Sequence, residues 1–207
     1  MNIRALWRYW RPVAILLVLA AIAVPVWLWV AEYLRWDTYV STTPPAFSVK
    51  YLKGSNIVAD YLDALSPVGN PVRGVRFDIP TKLLGANWLV GAHLSVEYID
   101  ATPCTADLFL PAATSTGSRV EEGVSYSVAS NSFGDVSNKT FERVYALTGS
   151  QPCTAVHYFL NTSSRVGFDP NAPPTASQPS ASARNFNFNE ALKVFDTMRH
   201  SLKLNQK

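Results

Sequence analysis

The run from Pro12 to Ala31, PVAILLVLAAIAVPVWLWVA, is twenty residues long without one ionisable side chain, and it constrains this chain more than any other stretch. At 1.5 Å per residue, a helix of that length covers about 30 Å, the hydrocarbon thickness of a bilayer, so a single transmembrane helix over 12–31 is expected. Trp7, Tyr9 and Trp10 lie before the run and Trp27, Trp29, Tyr33 and Trp36 lie at its far end, where amphipathic rings favour the water interfaces. A cleavable signal peptide is the competing reading, because Val13 to Ala23 has the length of an apolar signal core and Ala21-Ile22-Ala23 resembles a cleavage site. Cutting there would leave VPVWLWV as an apolar N-terminus, so an uncut anchor is expected. Pro25 removes one helical hydrogen bond and kinks the span. No charge inside the span marks an ion or proton path.

Arg4, Arg8 and Arg11 precede the run with no acid among them. By the positive-inside rule, residues 1–11 are cytoplasmic, 32–46 form a juxtamembrane segment and linker, and 47–204 form a domain on the periplasmic or extracytoplasmic side. The expected address is a single-pass protein of the inner membrane. All fifteen acids and fifteen of the eighteen basic residues follow Ala31, so the outer part is formally neutral. A nucleic-acid partner has no support in that balance.

The only two cysteines, Cys104 and Cys153, both open a Cys-Thr-Ala triplet. A repeat, a metal site, a reactive thiol and a disulfide all compete for that pair. No CxxC spacing or histidine pattern favours zinc, and in an exported, oxidising setting an even cysteine count favours a disulfide. TPCTADLFL has the composition of a short helix and CTAVHYFLN that of a strand, so the triplets are not copies of one structural unit.

Alternation predicts strands at FSVKYL (47–52), VRGVRFDIP, LVGAHLSVEYI (89–99) and VSYSVAS (124–130), with a hairpin of Phe141–Leu147 and Cys153–Leu160 around Gly149. Five or six antiparallel strands are expected. ADYLDAL reads as a surface helix carrying Asp60 and Asp63. From 168 to 184, FDPNAPPTASQPSASAR offers little to bury and reads as a long mobile loop. Asn187 and Glu190 resemble a capping box, and Ala191, Phe195, Met198 and Leu202 form one apolar stripe of a closing helix.

The FSVKY and RFDIP strands, the SVEYI segment leading to CTADLFL, the ERVYAL hairpin with CTAVHYF, and the closing ALKVFDTMRHSLKL helix resemble exported PsbP-like proteins over roughly 47–204. The resemblance implies an α+β domain, an antiparallel sheet sandwiched by helices (an α/β/α sandwich), and an accessory role at photosynthetic or respiratory membrane complexes. The chain lacks the lipobox cysteine of lipoprotein members.

Serine-hydrolase, phosphate-loop and dinucleotide motifs are absent. His93, Ser95 and Glu97 share a strand face, and with His157 they contain the elements of a two-histidine, one-carboxylate metal set. An ordinary solvated or helix-covered face is the simpler reading, with His157 a core histidine, and no catalytic, cofactor or metal residue is assigned. NKT (138–140) and NTS (161–163) match the short glycosylation sequon. The expected function is a non-enzymatic accessory or scaffolding subunit, anchored in the bilayer beside a larger membrane protein complex. The alternative is a cell-envelope enzyme or a ligand- or metal-binding domain using the His93/Glu97 face.

Overall fold

Ten strands order the described part of the chain, and alternation of buried with exposed side chains accounts for the central ones. The computed structural model describes residues 35–43, 45–63, 71–84, 89–134, 138–163 and 188–205, with Leu17, Ala21 and Val24. The chain divides into two units, Met1–Asp37 and Thr38–Lys207. In chain order the strands are β1 (Trp36–Ser41), β2 (Phe47–Leu52), β3 (Asn56–Asp63), β4 (Val72–Asp78), β5 (Leu89–Ile99), β6 (Ser115–Glu121), β7 (Val124–Gly134), β8 (Asn138–Leu147), β9 (Cys153–Ser163) and β10 (Lys203–Leu204). One α-helix, α1 (Phe188–His200), and two short 3-10 turns complete the elements whose bounds are described, and Leu17, Ala21, Val24 and Arg35 are helical as well.

Seven strands form one antiparallel sheet in the order β3-β4-β5-β9-β8-β7-β6, and β1, β2 and β10 form a small second sheet. β5 and β9 lie at the centre, so both faces of each are buried. One face carries Phe77, Leu94, Val96, Tyr158 and Leu160, and on it pack Phe195 and Met198 of α1 with Phe47, Val49 and Leu52 of β2. The Tyr158 and Phe195 rings meet edge-on at 5.1 Å, and Tyr51 stacks on Phe77 at 5.6 Å. The end of α1 is tied to β2, where Lys50 N–H donates to Ser201 Oγ at 2.8 Å. The opposite face is covered at one end by the segment after β5, where Ala106, Phe109 and Leu110 pack on Ile99, Val144, Ala146 and Ala155.

Cys104 and Cys153 are bonded there, with Cα atoms 4.9 Å apart. Cys104 lies just ahead of the 3-10 turn Ala106–Leu108, and Cys153 opens β9, so the bond holds that segment against the sheet. Both cysteines follow cis-prolyl peptides, Thr102-Pro103 and Gln151-Pro152.

Several expectations need correction. The domain is not an α/β/α sandwich: among the described residues a single helix covers one face of a β-rich structure. Two of the unexpected strands show why the pattern misled. Where a surface helix is expected at ADYLDAL the chain continues β3, whose register break between Val58 and Tyr61 interrupts period-two alternation. β6 has no alternation because its first six residues are all exposed. Asp60 is therefore an exposed strand residue, and Asp63 closes the same strand.

The membrane anchor is corrected as well. Among the described residues no helix is long and apolar enough to cross a membrane, and of 12–31 only Leu17, Ala21 and Val24 are described. No described helix therefore supports the single-pass, inner-membrane and periplasmic assignments. Arg4, Trp7, Arg8, Trp10, Arg11, Trp27, Trp29 and Tyr33 lie outside the described residues, as do Asn187 and the loop at 168–184. Trp36 opens β1, with the Arg35 guanidinium 6.0 Å from its ring centre.

The covalent tie yields a direct expectation. Changing Cys104 and Cys153 together to serine removes a link across 49 residues. It should lower stability by about 2–5 kcal/mol in denaturant titration while the far-ultraviolet spectrum stays β-rich.

Candidate functional site

Strand register brings the sequence-nominated residues together. His157 lies directly opposite Ser95, Glu97 opposite Ala155 and His93 opposite Phe159, so His93, Ser95, Glu97 and His157 occupy one face of the β5–β9 pair. Gly74 faces Glu97 from β4, and a Cβ there would run into the Val96 carbonyl, so glycine lets β4 approach β5 beside the carboxylate. The face is not solvated: Ser95, Glu97 and His157 are 0%, 1% and 6% exposed.

Glu97 is the hub. Ser95 Oγ donates to its Oε1 at 2.5 Å, and His157 Nδ1 lies 3.3 Å from the same oxygen. A carboxylate can only accept, so Nδ1 carries the proton. The other ring nitrogen, Nε2, faces Glu142 of β8 at 3.9 Å. Burial alone would raise the Glu97 pKa, but the charge and hydrogen bond of His157, the Ser95 hydroxyl and nearby His93 outweigh it and hold the carboxyl below its ordinary range. His93 stacks on Phe159 at 4.4 Å, nearly parallel. Burial, then the charges of His157 and Arg76, bring it from 6.5 down to about 4 against the opposing pull of Asp78 and Glu97.

This order of bonding bears on chemistry. In a hydrolytic triad the histidine stands between the hydroxyl and the acid and takes the hydroxyl proton. Here Glu97 stands between Ser95 and His157, so the histidine has no bond to the serine to relay through. Nor do these groups form a metal cluster: among the described residues no three His, Cys, Asp or Glu side chains are grouped as a cation would need. A groove of about 550 Å³ lies at the Ile99 end of β5, lined by Pro71, Arg73, Tyr98, Ile99, Asp100 and Pro152, and shares none of the cluster's residues.

A second polar cluster sits on the opposite face. Arg199, in the last turn of α1, is 2% exposed, with its guanidinium carbon 4.0 Å from the Tyr145 ring centre and 5.0 Å from that of Tyr126. Its Nε donates to Tyr158 Oη at 2.8 Å, and Nη2 pairs with Glu121 and Asp196. Tyr158 Oη in turn donates to Asp196 Oδ1 at 2.9 Å. Burial raises the Tyr158 pKa well above its ordinary value, so the hydroxyl keeps its proton. Burial would also raise Glu121, but bonds from His200 and Arg199 hold it at about 2. The cluster fastens α1 to the β6–β7 hairpin. Sequence reading missed it, although Arg199 lies four residues after Phe195 and therefore on the apolar stripe. Glu142 was missed too, and it lies opposite Phe159 once the β8–β9 register is known.

No protein family and no curated protein matches this chain. Among solved structures it is similar to a crystal structure of a protein from Bacteroides thetaiotaomicron VPI-5482, at 8% identity and a TM-score of 0.45, over 84% of this chain and 50% of that one. The chain thus spans half the length of that protein. A likeness this slight adds nothing to the reading of either cluster.

Two outcomes follow from the clusters. His93 has a folded pKa of about 4, below its ordinary 6.5, so the unfolded state binds more protons between those values. Its share of stability is complete above pH 6.5 and is lost as pH falls toward 4, on the order of 3 kcal/mol over the window. His93→Phe, which keeps the stack on Phe159, should flatten that part of the stability–pH curve in denaturant titrations. Arg199→Met, which keeps volume but removes one partner from each of Glu121 and Tyr158, should cost about 2–4 kcal/mol in the same assay. Arg199→Lys should recover only part, lacking the planar fork and its stacking.

Proposed function

We propose that this domain is a non-enzymatic accessory or scaffolding module that acts by binding another protein. The observation that carries this reading is the closure of the buried ionisable set. Glu97 is held by Ser95 and His157, both buried with it, and the groove lined by Arg73 and Tyr98 includes none of the three among its lining residues. Perturbed pKa values mark catalytic groups when they adjoin a cleft that admits substrate. Here the perturbed groups are joined to one another between strands, which suits a rigid scaffold.

The test is gentle purification of the tagged full-length chain, followed by mass spectrometry of the co-eluting species and of any bound small molecule. A second polypeptide at fixed stoichiometry, retained by the His93→Phe variant, is the expected result. A chain that elutes alone with a bound metal or metabolite, which His93→Phe then releases, would overturn the reading.

A further inference from the structure

We draw no further inference here: the strongest candidate, the open groove at the Ile99 end of β5, offers one cation in Arg73, one phenol in Tyr98 and one anion in Asp100, and nothing in the structure shows which class of ligand would cover them.

Discussion

The pairing of β9 with β5 on one side and β8 on the other is the constraint on which the rest of the structure depends. Adjacent residues of β9 serve opposite faces, and each anchors a different layer. Tyr158 carries the edge-on contact with Phe195 and the bonds to Asp196 and Arg199, which seat the helix. His157, the residue before it, turns to the other face and meets Glu97. Cys153, at the start of the same strand, holds the segment after β5. A slip of one residue in this register would exchange those roles and place Tyr158 where Glu97 now finds a histidine.

Both polar clusters are therefore consequences of one register, and both carry buried charge. An isolated carboxylate between strands would be costly, and desolvation works against the charged form of Glu97. A short bond from Ser95, the charge and longer bond of His157, and nearby His93 outweigh that cost. On the other face Arg199 is held differently, by two tyrosine rings in addition to hydrogen bonds from Nε and Nη2. A cation stacked on aromatic faces loses less on burial than one among aliphatic side chains. The helix is thus held by a polar contact at its last turn and apolar contacts along its stripe, a combination that fixes its rotation as well as its depth.

What could be read in the sequence was the part in which side chains repeat regularly. β2 and β5 fall where Phe47–Leu52 and Leu89–Ile99 alternate, and α1 falls where Ala191, Phe195 and Met198 recur. β3 and β6 were not legible, for opposite physical reasons: a register break disguised one, and exposure on both faces removed any hydrophobic period from the other. The overall class was misjudged with them. Of the polar face, His93, Ser95 and Glu97 were visible as a set because period two places them together, and His157 was paired with them on composition. Their burial was not visible. Period two shows that residues share a face and says nothing of what lies over it, so the burial of this face and the joining of its polar groups into one network had to come from the structure.

The same distinction separates the edges from the centre. A central strand is fixed by neighbours on both sides and by packing on both faces, so its sequence can admit Glu97 and His157 without losing register. β6 has a neighbour on one side only, and its position is held by the turn at Glu122-Gly123 and by Glu121, which Arg199 and His200 bind at the hairpin's end. Those fastenings lie at the turn, whereas the uncharged stretch from Ser115 to Ser118 lies away from it. The hairpin is thus held in place at one end while the rest of its outer edge keeps no side-chain guard. The buried arginine on α1, by binding Glu121 beside that turn, ties the hairpin's end to the core.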